Sequence, residues 1–311
     1  MVFKMRIPIR EQLGLLILLS SLIGLAVVSI ATWISNYKFV LSIRATRLSL
    51  TAALKAAQLA SNLNLMQTSA NFVTTRIVMQ GALRRYNDGN DTHHNWVAAL
   101  EDMGDAISGR GSVGQSLLLQ SQILPRDAQY GTVSVMNVTS SAVNNTLRMP
   151  YNCPDGSPVY LGDAYCGLDL NLGYPPWLYP NLTYTTENYN KTFNISAAVY
   201  EGEKLGPDSV LLLGPYLVNS TFSLVSMTMP LINNTSAVDI LGWLTVLMDA
   251  SLIMEVLQSP DGLEKTGETL LVGPVRRSNR FSQGVMAGNR TSTSPNDFQV
   301  SHLRCMALYR L

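Results

Sequence analysis

The run Gly109-Arg-Gly-Ser-Val-Gly114 matches G-x-G-x-x-G. Such a run cradles a pyrophosphate when a strand leads into it and a helix opens from it, because N–H groups at the helix start point at the anion. Here a helical pattern precedes it, and it reads as an inter-helix loop. His93 and His94 are adjacent in a polar turn and His302 is distant, so no second pair of ligands stands at a metal spacing. With no other base, a Ser–His–acid triad has no support. Glu101 and Asp102 are sequence neighbours, which do not face each other on a helix. They read as part of a solvated face rather than an acid/base pair. No catalytic, cofactor-binding or metal-binding residue emerges.

The spacing that does carry chemistry is that of a modification. Asn90, Asn137, Asn144, Asn181, Asn190, Asn194, Asn219, Asn233, Asn234 and Asn289 are each followed two positions on by Ser or Thr, with no Pro between. Chance would give roughly four such N-glycosylation sequons at this composition. Asn36, Asn62, Asn64, Asn71 and Asn87, nearer the N-terminus, carry none. Cys153 and Cys166 flank a segment rich in Pro, Gly and Tyr. In an oxidising compartment that spacing suits a local disulfide contributing ~2–3 kcal/mol, against the alternative of two free thiols. Cys305 is the odd cysteine.

What positions these asparagines is the stretch before them. Leu13 to Ile34 holds no charge and no proline. At ~1.5 Å per residue it spans the ~30 Å of a bilayer core. Trp33 and Tyr37 lie at its far edge, where amphipathic rings prefer the interface. The apolar region of a cleaved signal peptide is shorter, ~7–15 residues, although Ser29 and Ala31 form a small-x-small step. Lys4, Arg6 and Arg10 before the span nearly balance Lys38, Arg44 and Arg47 after it, so flanking charge leaves orientation open. The sequons decide it. Residues 1–12 are expected in the cytosol, 13–35 across the plasma membrane and in contact with its lipid, and the bulk outside in a single-pass arrangement.

A formal charge of +1 with 14% charged residues excludes a disordered acidic chain. No basic patch interleaved with aromatics appears, which argues against nucleic acid. No Pro occurs between Pro8 and Pro125 and no Gly between Gly24 and Gly81. Residues 37–83 are rich in good helix formers and predict one long helix. Its stripe of Leu50, Leu54, Ala57, Leu63, Met66, Val73, Ile77 and Leu83 suits either packing on its own domain or a homodimer coiled coil. Tyr86-Asn-Asp-Gly-Asn90 ends it, Asp91 or Thr92 caps the next helix, and Trp96, Val97, Leu100, Met103 and Ile107 keep helical spacing. Tyr130–Val138, Ser209–Val218, Thr221–Leu231, Ile240–Met248 and Glu268–Val275 predict strands, with a short helix at Leu252–Leu257. Residues 148–192 predict an irregular insert. Its tyrosines and Trp177 suit packing on the sheet, or stacking on a glycan or a partner. The order argues α+β with helices on one face of an antiparallel sheet, as in a PAS-like, Cache-type sensor over 36–258. Residues 259–291 would open a second module, cut short, and 292–311 form an atypical tail.

The segments RIPIREQL at 6–13, YNDGNDTHHNWVAAL at 86–100, VNSTFSLVSMTMPLINNTSAVDILGWLTVLMDASLIMEVL at 218–257 and GLEKTGETLLVGPV at 262–275 resemble the sensor region of fungal osmosensing hybrid histidine kinases. The resemblance covers roughly residues 6–290 and contains no catalytic motif. It implies a receptor with two membrane helices around a glycosylated sensor. It also implies an ATP-binding kinase part, a receiver, and a phosphotransfer partner leading to a stress-activated MAP kinase cascade. A second span, the histidine box, the nucleotide boxes and the receiver aspartate are not in this sequence, so no catalytic residue carries over and ATP has no site here. The tail from Ser292, unlike the family, reads as a fragment end or a mispredicted exon. The alternative function is a glycosylated single-pass cell-surface or wall-associated structural protein without a kinase.

Overall fold

With no proline within it and no glycine after Gly24, the first helix α1 runs unbroken from Ile9 to Thr74. This computed structural model describes residues 8–263 and Thr269, less 91, 109–116, 127–133, 142, 144–145, 164, 167–168, 171, 176, 190–192, 201, 219–221 and 237. At 165–166, 169–170, 186–189, 193–196 and 203 it describes backbone alone. The chain divides into two units, residues 1–57 with 260–268, and residues 58–259 with 269–311.

In the first unit, α1 is long and apolar enough to cross a membrane, and its residues through Leu50 are exposed. The Trp33 and Tyr37 rings stack with centroids 5.9 Å apart. The turn after residue 260 docks on α1 at Thr51, whose hydroxyl donates to the Gly262 carbonyl at 3.3 Å. Gly262 has φ +73°, and a Cβ there would collide with the Thr51 side chain. Glycine answers both demands.

In the second unit, α2 (Ile77–Asn87) follows α1, then a 3-10 turn at His93–Asn95 and α3 (Val97–Ile107). Strands β1 (Leu118–Pro125) and β2 (Met136–Thr139) come next. The insert builds β3 (Arg148–Asn152), β4 (Pro158–Tyr160), β5 (Tyr165–Cys166), β6 (Asp169–Leu170), β7 (Thr183–Tyr189), β8 (Phe193–Tyr200) and β9 (Glu203–Leu205). Strands β10 (Leu211–Leu217), β11 (Ser223–Ile232) and β12 (Ile240–Asp249) and helix α4 (Ser251–Gln258) complete it. The main sheet is antiparallel in the order β10-β11-β12-β1-β2, and the insert forms sheets β3-β4, β5-β6 and β7-β8-β9.

Both faces of the main sheet are covered. On one, Met66, Ala70 and Val73 of α1, Met79 and Leu83 of α2, and Met103 and Ile107 of α3 pack on Ile123, Val225, Met227, Val246 and Met248. On the other, Met149, Tyr151, Leu161, Leu178, Tyr179 and Leu182 pack on Leu124, Leu213, Leu224, Trp243 and Leu247. Side chains alternate between layers along each strand. With both layers dry, β11 and β12 read as near-continuous apolar runs rather than a half-wet alternation.

The meander β10-β11-β12 and α4 lie where the sequence predicts them, and α2 ends at Asn87 with Gly89 at φ +101°. Four expectations differ. The helix expected over 37–83 is interrupted at Thr75 and Arg76. Asp91 lies outside the described residues, Thr92 precedes only the 3-10 turn without a side-chain cap bond, and α3 opens later at Val97. Of the expected strand 130–138, residues 130–133 lie outside the described residues and the strand begins at Met136 as β2. The insert is not irregular but three small sheets, because Tyr, Thr and Val pair well across strands even where prolines punctuate them. Of Glu268–Val275, Thr269 alone falls among the described residues.

Candidate functional site

The layer between the main sheet and the insert holds the densest polar chemistry in the second unit. Gln120 of β1 is fully buried. Its Nε2 donates to Thr139 Oγ1 at 3.0 Å and to the Gly173 carbonyl at 3.1 Å, and its Oε1 accepts from the Tyr179 hydroxyl at 2.7 Å. Thr139 also shares a 3.2 Å hydrogen bond with Tyr174. Further along, the Thr228 and Thr245 hydroxyls bond at 2.8 Å across β11 and β12. Tyr184 of β7 lies against Trp243, ring centroids 5.2 Å apart. Three buried polar atoms of this layer, Ser226 Oγ, Trp243 Nε1 and Tyr184 Oη, have no hydrogen-bond partner among the described residues.

Burial raises four phenols here, those of Tyr151, Tyr174, Tyr179 and Tyr184. Tyr179 is pushed well above its ordinary range by burial, with Tyr174 and Tyr151 adding to it. Tyr184 is pushed up to about 12 by burial. Tyr151 rises through burial and then the nearby Asp163 charge. In Tyr174 burial outweighs the opposing bonds to Thr139 and Gln120. At neutral pH all four are neutral hydrogen-bonding groups, not acids or bases. Tyr151, Tyr174 and Tyr179 are buried against the sheet, so of the two uses open to these rings the structure shows packing. Trp177 meets Tyr151 edge-on at 5.3 Å.

A second polar cluster marks the joint of α1 and α2. The Arg76 guanidinium pairs with the Asp102 carboxylate and donates to the Asp102 carbonyl at 3.1 Å. Gln80 Nε2 donates to the Thr74 carbonyl at 2.8 Å and to Asn234 Oδ1 at 3.1 Å, and Gln80 Oε1 accepts from Asn234 N at 3.2 Å. Asp102 is therefore half-buried in an ion pair rather than lying on a solvated face, while Glu101 is exposed. Sequence reasoning missed Arg76, Gln80 and Gln120, because all but one of the hydrogen-bond partners named for them lie 19 to 154 residues away. The one local signal was the β-branched pair Thr74-Thr75.

Among the expected modification sites, Asn90, Asn181 and Asn234 are exposed. Asn90 Oδ1 accepts from Thr92 N at 3.2 Å and Thr92 Oγ1 at 2.7 Å. Asn233 Oδ1 takes the same pair of bonds from Thr235, at 3.2 and 2.9 Å, and its Nδ2 donates to Asp239 at 3.1 Å. Asn137 is half-buried on β2. Asn194 lies on β8, its side chain not described; Asn144, Asn190, Asn219 and Asn289 fall outside the described residues, as do Gly109–Gly114 and His302. Cys153 is buried and disulfide-bonded, and the Cys166 side chain is outside the described set. His93 and His94 are exposed, and no metal-holding group occurs among the described residues.

No family model matches the chain, and no solved structure matches it. Over 266 residues, 83% of its length, it is 29% identical to the osmosensing histidine protein kinase SLN1 of Saccharomyces cerevisiae. The chain spans 18% of that protein. It is a membrane-associated, sensor-like domain distantly related to a fungal histidine kinase.

Proposed function

We propose that the chain is the membrane-anchored extracellular sensor portion of a fungal hybrid histidine kinase, passing an osmotic or turgor stimulus to a phosphorelay. What carries the reading is that the similarity to an osmosensing kinase extends over 83% of a chain that holds both a membrane-competent apolar helix and a helix-covered sheet. In this reading the fold is Cache-type and residues 259–291 open a second module. ATP and the phosphotransfer partner belong to the kinase and receiver parts. A second copy covers the stripe Leu50, Leu54, Leu65 and Phe72, all more than half exposed. At 100° per residue these four fall within an arc of about 60°.

The test is a chimera in which residues 1–269 replace the sensor of a yeast osmosensing kinase. Restored growth and osmotically tuned phosphorelay output are expected, as is self-cross-linking through Leu54→Cys. A chimera that reaches the surface but whose output ignores osmolarity would leave the structural, kinase-free glycoprotein as the better reading.

Topology has its own measurement. Endoglycosidase is expected to shift the chain's mobility, and peptide mapping to find glycans at Asn90 and Asn181. An unchanged mobility places these residues in the cytosol. Cys153 and Cys166 are expected to appear in one linked peptide.

A further inference from the structure

We infer that the joint between α1 and α2 is a latched two-state hinge, in which tertiary contacts hold open a helix that its own sequence would close. The inference deepens the sensor reading, and it rests on that reading only for the stimulus that drives it.

Residues 71–80 contain neither Pro nor Gly, so nothing local requires a stop. Thr75 N still bonds to the Asn71 carbonyl at 3.2 Å, and Gln80 N already bonds to the Arg76 carbonyl at 3.0 Å. Helical geometry therefore reaches the joint from both sides. The departure is at Arg76, at φ −67° and ψ 120°. Its φ is helical, so at Arg76 the departure from a continuous helix lies in ψ.

Three contacts oppose closure. Arg76 is held on α3 through the Asp102 carboxylate and carbonyl. The Gln80 amide occupies the Thr74 carbonyl, which a continuous helix would give to the Val78 N–H. Asn234 grips the same Gln80 amide from the β11–β12 turn. No side chain caps the start of α2, so the broken state leaves its first N–H groups without the partners a continuous helix would provide. The other weight on the broken side is the core, since Val73 and Met79, flanking the joint, are both fully buried. A displacement that draws the end of α1 off the sheet removes that weight, and the backbone hydrogen bonds regained by the first N–H groups of α2 then favour closure. Core packing and latch against helix continuity is the kind of bistable balance that a switch requires.

The experiment uses the full chain in lipid nanodiscs, with spin labels at Thr68→Cys and Arg84→Cys and with Cys305→Ser. Both labelled positions are exposed. A continuous helix separates their Cα atoms by about 24 Å, and the broken one brings them closer. The parent is expected to show mainly the short distance. Asp102→Asn with Gln80→Ala is expected to enlarge the share of the long distance about fivefold or more, from loss of one charged and one neutral attachment. Where the double change unfolds the domain, Asp102→Asn alone serves. Ile77→Pro is expected to return the unlatched variant to the short distance. Proline suits the first helical position and holds the preceding residue near the ψ that Arg76 already has, and the Ile77 side chain is 77% exposed. One common distance in parent, unlatched and proline variants overturns the hinge. Distances that move as expected, with a kinase chimera indifferent to Ile77→Pro, would instead count against the sensor reading and leave the hinge intact.

Discussion

Trp243→Ala is expected to strip the second unit of a large share of its stability. Trp243 is fully buried at the middle of the main sheet, cross-strand from Pro230 on β11 and Leu124 on β1. Its ring also fills the space beneath Tyr184. Truncation of a buried Trp or Phe to Ala costs ~3–5 kcal/mol, through lost transfer energy and the cavity left behind. Total stabilities of domains lie at ~5–15 kcal/mol, so this one change removes a large share. Trp243→Phe should cost far less. The indole Nε1 has no hydrogen-bond partner among the described residues, so the replacement loses ring volume and no bond seen there. Denaturant titration of the three proteins checks this. Equal losses for Phe and Ala would show that the indole N–H, not the packed volume, matters.

Gln120→Leu has the second-largest expected effect, and for the opposite reason. The side chains are similar in size, so little packing is lost. What is lost is the acceptor of a buried Tyr179 hydroxyl and one partner each of Thr139 and the Gly173 carbonyl. Leaving a buried polar group unsatisfied costs ~1–3 kcal/mol, and Tyr179 bears most of it, because Thr139 keeps Tyr174 and the Gly173 carbonyl keeps the Gly162 N–H. A loss of ~1–3 kcal/mol is expected on that basis. Tyr179→Phe added to Gln120→Leu should recover part of it, since removing both partners of a buried bond is cheaper than removing one. A double-mutant cycle by thermal melting gives the coupling. Strict additivity would mean the two groups do not act together.

These two residues also show how unevenly the fold is legible. Trp243 sits in ILGWLTVLMD, a β-branched and apolar run that reads as a strand without help. Gln120 sits in LLQSQILP, where apolar pairs flank three polar residues and no period-2 pattern appears. That run nevertheless forms β1, bonded to both β12 and β2. Its Gln120 is satisfied inside by Thr139 of the neighbouring strand and by Gly173 and Tyr179 of an insert more than fifty positions away. The same holds for the helix break, whose partners sit on α3 and on the β11–β12 turn.

By itself the sequence determined the membrane-competent span, the end of α2 at its glycine turn, the β10-β11-β12 meander and the α+β class. Each follows from hydropathy, period or turn chemistry within a few residues, and those preferences act wherever the chain is. The tertiary structure alone decided the interruption at Arg76, the place of β1 within the sheet, and the burial of the insert's tyrosines in a second core layer. Each of these depends on groups that become neighbours only after folding, and the free energy that selects them is absent from any local window.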